Sequence, residues 1–276
     1  MPIRGLSRRA LLTTLGVLAR APARGSAQQG PPADTGELQL DAIKVLTFDV
    51  GGTVFDWHRT VRDEIAAMSR GKGFSVDAAE FTNDWRRTVF RDVLPAVRRG
   101  ELPFMNIDGV HRIVLDRLLE ERGIQGLDEI EKHELTYAWH RIKAWPDCRS
   151  GLARLRSRFT VSGLSVLSLS LLVSTAKAAY LHWDALVPCE FLGHYKPDPL
   201  AYQKGVELLG FKVQEAMMVA AHPSDLRGAR NAGLRTAYVP RPGEYGDNDD
   251  RVLESGEEFD VVAKDFNDLA VKLGVE

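Results

Sequence analysis

The sequence predicts an α/β protein, a parallel sheet core with a helical cap inserted after the first strand. Three observations carry that prediction. Short, mostly apolar runs recur at 44–49, 159–165, 216–220, 234–239 and 260–262. Helical periodicity lies between most of them, at 168–181, 199–209, 225–232 and 265–273. From Trp57 to about Ile142 no strand signal occurs, and helical patterns fill 59–70, 77–99, 107–122 and 127–142. Strand alternating with helix is the pattern of a parallel sheet covered on both faces, which makes the core Rossmann-like. The helical run is longer than any strand-to-strand crossover requires, so it reads as a cap over the carboxyl edge of the sheet.

Taken in order, the chain of 276 residues opens on a segment unlike the rest. Ser7-Arg8-Arg9-Ala10 precedes an apolar run to Ala19, and small residues follow to Ala27. That is a twin-arginine export pattern with a run too short to span a bilayer, so residues 1–27 read as a signal peptide and the expected location is periplasmic or secreted. Residues 28–40 read as a linker rich in Gly, Pro and Gln. The core is assigned to 41–56 and 144–276 and the cap to 57–143. The formal charge of −2 falls to about −7 if the leader is removed. Neither value, nor any basic stripe, suggests a nucleic-acid partner. Cys148 and Cys189 are the only cysteines and read as small buried hydrophobes. The seven histidines show no metal-ligand spacing. The acidic run 246–250 reads as a solvated loop.

The first strand, Lys44-Val-Leu-Thr-Phe, runs directly into Asp49 and then Gly51, Gly52 and Thr53. A carboxylate is thereby placed at the carboxyl end of a buried strand, where open α/β sheets hold their ligands. The two glycines permit tight backbone geometry and expose turn N–H groups. Asp49 is placed as a nucleophile. Three other polar clusters fall at strand ends: Ser165, Lys196 in Tyr195-Lys-Pro-Asp198, and Asp225 in Ala221-His-Pro-Ser-Asp225. An ammonium group near Asp49 would keep that carboxylate ionised. Asp225 would balance Lys196, and Ser165 has a hydroxyl to donate.

This order of motifs resembles the haloacid dehalogenase-like superfamily, and within it the type II L-2-haloacid dehalogenases. Further matching pieces are Val54-Phe-Asp-Trp57, Trp85-Arg86, Gly100-Glu-Leu-Pro103, Trp183-Asp184, Ala232-Gly-Leu-Arg-Thr236 and Pro240-Arg-Pro-Gly-Glu-Tyr-Gly246. The resemblance implies that Asp49 attacks C2 of a short L-2-haloacid, displaces halide and forms an ester that water then hydrolyses. Arg86, from the cap, would bind substrate and receive the halide, as an always-charged guanidinium can. Thr53, Ser165, Gly51 and Gly52 would hold nucleophile and substrate, and Lys196 and Asp225 would orient Asp49 and the water. A small-molecule carboxylate is the implied partner, with a homodimer as the implied assembly, and neither cofactor nor metal is expected. Trp57, Trp85 and Trp183 read as packing residues, Trp57 being near enough in sequence to line the pocket.

Several positions depart from the pattern. Gly51 stands where dehalogenases usually carry an aromatic residue and where phosphatases of the superfamily carry the aspartate that protonates the leaving group. Ala220-Ala221 replaces a Gly-Asp that supplies a Mg²⁺ ligand in those phosphatases. Val166 replaces the asparagine after the motif serine, and Ala220 and His222 replace a serine and an asparagine of the distal loop. A phosphatase and a non-catalytic carboxylate-binding relative are therefore the alternatives to a dehalogenase.

Overall fold

The computed structural model describes residues 39–247, 249 and 252–276. The twin-arginine segment and the linker up to residue 38 lie outside the described residues. Six parallel strands form the core sheet in the order β5-β4-β1-β6-β7-β8. They are β1 (Val45–Phe48), β4 (Thr160–Ser165), β5 (Ala185–Pro188), β6 (Ala216–Ala220), β7 (Arg235–Tyr238) and β8 (Val261–Val262). β1 is central and pairs in parallel with β4 and β6, Val45 lying opposite both Thr160 and Ala216. All four of its residues are buried, as a strand flanked on both edges and covered on both faces requires. The expected strands match β1, β4, β6, β7 and β8 within a residue or so at each end. β5 was not foreseen, because Ala-Leu-Val-Pro is too short for periodicity to separate from loop.

Core helices follow the strands: α6 (Cys148–Leu155), α7 (Leu169–Ala178), α8 (Cys189–Leu192), α9 (Pro199–Leu208), α10 (Pro223–Asn231) and α11 (Phe266–Lys272). Their starts obey local chemistry. Ser168 accepts from Leu171 N at the start of α7, Asp198 from Leu200 N at α9, and Asp265 from Asp268 N at α11. Cys148 and Cys189 are both buried and free of disulfide bonds, in keeping with the small buried hydrophobes read from the sequence. Burial raises both thiols above the ordinary range.

Between β1 and β4 the chain leaves the sheet through β2 (Phe55–Asp56) and returns through β3 (Lys143–Ala144), which pair antiparallel. This two-stranded stem bounds the helical insertion: α1 (Trp57–Lys72), α2 (Ala78–Thr88), α3 (Leu94–Arg98), α4 (Ile107–Glu121) and α5 (Glu129–Tyr137). Asp56, Asp77, Asn106 and Asp128 cap α1, α2, α4 and α5 with side-chain oxygens, the last in a full capping box with Glu131. The single helix expected over 77–99 is broken. A π-helical turn, Val89–Val93, separates α2 from α3, and Pro95 lies at the start of α3, where its missing N–H costs least. Trp57, Trp85 and Trp139 are each at most 2% exposed. Trp57 stacks on Trp139 at 5.9 Å and Trp85 meets it edge-on at 5.6 Å. Truncating one such indole to alanine typically costs about 3–5 kcal/mol. Among the described residues no helix is long and apolar enough to cross a membrane.

Candidate active site

Asp49 follows β1 directly, and its N–H donates to Val219 O at 2.9 Å. The carboxylate is thus fixed to the neighbouring strand β6 at the carboxyl edge of the sheet. Thr53 donates to Asp49 Oδ2 at 2.8 Å. The same hydroxyl oxygen accepts from Ala221 N at 2.9 Å, so its proton has one place to go. Lys196 Nζ lies 3.3 Å from Asp49 Oδ1 and 2.8 Å from Asp225 Oδ2. Tyr202 donates to Asp225 Oδ1 at 2.5 Å. Burial opposes ionisation of Asp49, but Lys196, His222 and Thr53 outweigh it and hold its carboxyl well below the usual carboxylate range. Burial also disfavours the Lys196 ammonium, yet Asp225 and Asp49 keep its pKa above the ordinary value. Asp225 is raised, by burial and by the negative charge of Asp49, against the pull of Lys196.

On the other oxygen lies an arrangement that the motifs did not reveal. His222 Nδ1 sits 3.0 Å from Asp49 Oδ2, while its Nε2 lies 3.0 and 3.1 Å from the two oxygens of Glu244. Glu244 also accepts from Trp57 Nε1 at 2.8 Å and faces an Arg86 guanidinium nitrogen at 3.7 Å. A ring with a carboxylate at each nitrogen must donate from both, which makes it an imidazolium. Burial works against that charge, and Glu244 and Asp49 overcome it, raising the His222 pKa well above its ordinary value. Gly52 makes the approach possible. Its φ is +91°, and a Cβ there would come 2.2 Å from Glu244 Oε1 and 2.9 Å from His222 Cε1.

Arg86 hangs from the last turn of α2. Its guanidinium lies 4.2 Å over the Phe90 ring and 5.0 Å from the Trp57 ring, and its buried Nε has no hydrogen-bond partner among the described residues. The π-helical turn places Phe90 beside it on the face turned to the sheet, and such turns are frequent at functional sites. A cavity of about 680 Å³ opens between this face and the strand ends, walled by Asp49, Gly51, Arg86, Phe90, Lys196 and His222 among others.

The structure therefore brings Asp49, Gly51, Arg86, Lys196 and Asp225 to one cavity. It does not bring Thr53, Gly52 or Ser165 to the cavity wall as substrate contacts. Thr53 is fully buried behind Asp49. The N–H of Gly52 is used on Phe55 O at 3.0 Å, because the chain turns there into β2. Ser165 is fully buried, and its hydroxyl accepts from Leu167 N at 3.2 Å, closing the turn beyond β4. Trp57 serves the site through Glu244 rather than by lining the pocket. Of the acidic loop, residues 248 and 250 lie outside the described residues, and Asp247 pairs with Arg59 at 3.1 Å.

A buried carboxylate at the end of a central parallel strand, an ammonium partner and an arginine from an inserted helical cap give the layout of a capped α/β hydrolase. The chain belongs to the haloacid dehalogenase-like hydrolases: the model of that family matches residues 43–233. It is 27% identical over 210 residues to (S)-2-haloacid dehalogenase 4A of Burkholderia cepacia, a match covering 74% of this chain and 86% of that one. It is 34% identical over 224 residues to phosphatase MT3486 of Mycobacterium tuberculosis, covering 78% and 95%. Among solved structures, the defluorinating L-2-haloacid dehalogenase Rha0230 superposes with a TM-score of 0.80 at 34% identity, covering 84% of this chain and 96% of that one.

Proposed function

We propose that the chain is a hydrolytic dehalogenase of short L-2-haloacids that works through an Asp49 ester without a metal ion. The observation that carries this reading is Asp49, held by Lys196 and Thr53, facing a cavity that Arg86 walls from the cap side. Arg86 offers a buried, unpartnered N–H, suited to a carboxylate or a departing halide. Asp49 Oδ1, which has the single Lys196 contact at 3.3 Å, is the attacking oxygen. It displaces halide from C2, and the halide leaves toward Arg86. Water then adds to Cγ with Asp225 taking its proton, and the hydroxy acid departs.

Position 51 supports carbon rather than phosphorus as the electrophile, because a glycine supplies no acid to a leaving alcohol. The donor set does not fit a divalent cation. Asp49 Oδ2 already meets Thr53 and His222, Asp49 Oδ1 and Asp225 Oδ2 meet Lys196, and Asp225 Oδ1 meets Tyr202. Ala220 and Ala221 offer no side-chain oxygen. Incubation with L-2-chloropropionate should release chloride at a rate indifferent to EDTA. Absence of chloride together with Mg²⁺-dependent hydrolysis of p-nitrophenyl phosphate would overturn the proposal in favour of a phosphatase.

A further inference from the structure

We infer that His222 is a catalytic residue of the second half-reaction, and that with Thr53 it forms the oxyanion hole in which the Asp49 ester is hydrolysed. The inference rests on the ester route proposed above. Its basis is the unequal surroundings of the two Asp49 oxygens. Among the described residues Oδ1 has one hydrogen-bond partner, Lys196 at 3.3 Å, whereas Oδ2 is held by Thr53 Oγ at 2.8 Å and His222 Nδ1 at 3.0 Å. If Oδ1 is alkylated, Oδ2 becomes the carbonyl oxygen of the ester, already between two donors.

A water oxygen bonds to Cγ while its proton passes to the Asp225 carboxylate. The carbonyl electron pair moves onto Oδ2, where the His222 and Thr53 protons meet the new negative charge. The pair then returns and the Cγ–Oδ1 bond breaks. Oδ1 departs as the hydroxyl oxygen of the 2-hydroxy acid, taking the proton back from Asp225, with the Lys196 ammonium beside it. Asp49 keeps the oxygen of the water and loses its remaining proton to solvent. Donors preset at the atom where charge develops act without reorganisation, and removing one such donor typically slows the step by about 10²–10³-fold.

Glu244 gives the arrangement its persistence. Ester formation removes the charge of Asp49, which is one of the two carboxylates stabilising the imidazolium. Glu244 remains, 2% exposed and fixed by Trp57 at 2.8 Å, so the ring stays protonated when the oxyanion forms. The His222 side chain is also 21% exposed, at a cavity that water can enter. An imidazolium is a stronger donor than a neutral side-chain amide, and it supplies here the charge that an acidic distal loop with a bound cation would otherwise bring.

The test separates the two half-reactions. The protein and its His222→Ala and His222→Gln variants are mixed in single turnover with L-2-chloropropionate, and the Asp49 adduct is followed by mass spectrometry beside chloride release. In His222→Ala the chloride burst should persist while loss of the adduct slows by about 10²–10³-fold, so the ester accumulates. His222→Gln, which keeps a neutral N–H, should recover part of the hydrolysis rate and so guards against a merely misfolded alanine variant. Adduct decay at the unaltered rate in both variants, or slowing confined to the chloride burst, would overturn the role of His222 while leaving the ester route intact. Chloride release with no adduct in any protein, the unaltered one included, would overturn the ester route and this inference with it.

Discussion

Replacing Lys196 with methionine tests the charge balance on which the site is built. The ammonium is 2.8 Å from Asp225 and 3.3 Å from Asp49, and its side chain is 5% exposed. At an effective dielectric of about 20, each contact is worth roughly 5–6 kcal/mol of gross attraction, most of it offset by desolvation. Methionine fills similar space but leaves Asp225 with the neutral Tyr202 hydroxyl alone and Asp49 with His222 and Thr53 on one oxygen only. Removing one partner of a buried pair costs about 3–5 kcal/mol, which for a chain of this size lowers the Tm by roughly 10 °C. The loss should also depend on pH with a definite sign. Asp225 is already raised by burial, with Lys196 pulling the other way, so without that ammonium its folded pKa rises further above its unfolded value. A group so raised contributes stability that is present below the unfolded pKa and is lost as pH rises through the folded one. The destabilisation relative to the unaltered protein should therefore be smaller at pH 5 than at pH 8. Asp49, whose pKa is depressed, contributes stability above its ordinary value, lost only as pH falls through and below that value. Urea unfolding of both proteins at the two pH values decides the matter. A difference under about 1 kcal/mol, or one equal at both pH values, would refute the reasoning.

Two other substitutions have expected outcomes. Arg86→Lys keeps the charge but loses the flat fork stacked on Phe90 and Trp57, and should lower kcat/KM for L-2-chloropropionate by about a hundredfold while the thermal midpoint moves little. Gly52→Ala forces a Cβ against Glu244 and His222 at a φ of +91°, and should cost about 2–3 kcal/mol in urea unfolding and most of the dehalogenase activity.

The parts of the fold that were legible in sequence are those whose signal is local. β1 and β6 are mostly apolar runs because both of their faces are covered. Helix starts announce themselves through Asp77, Asn106, Asp128 and Ser168. The two-stranded stem of Phe55–Asp56 and Lys143–Ala144 was not legible, because its pairing joins residues 87 or more positions apart and each strand has only two residues. The break at Val89–Val93 had one signal, Pro95, which sits inside the helical pattern and on strict reading bars a single helix there.

The site divides the same way. Asp49, Lys196 and Asp225 stand in recognisable order along the chain, and the structure brings them together. Ser165 and Gly52 hold turns behind the cavity wall, and turn-forming residues beside a site carry the same signature whether they serve substrate or backbone. The His222–Glu244 pair spans 22 positions, and each residue alone looks like an ordinary loop residue. The available signal was compositional: a loop that exchanges two neutral donors for Ala220 and His222 has changed its charge. Glu244, in a Pro- and Gly-rich turn, is the acid that answers it.

The central claim is that the Asp49 side chain bonds to substrate carbon and is regenerated by water. A single turnover in H₂¹⁸O with enzyme in excess over L-2-chloropropionate tests it most directly. The account predicts one heavy oxygen in the peptide containing Asp49 and an ordinary oxygen in the lactate hydroxyl. Heavy oxygen in the lactate hydroxyl with an unlabelled Asp49 would mean that water attacks the substrate itself, and would contradict it.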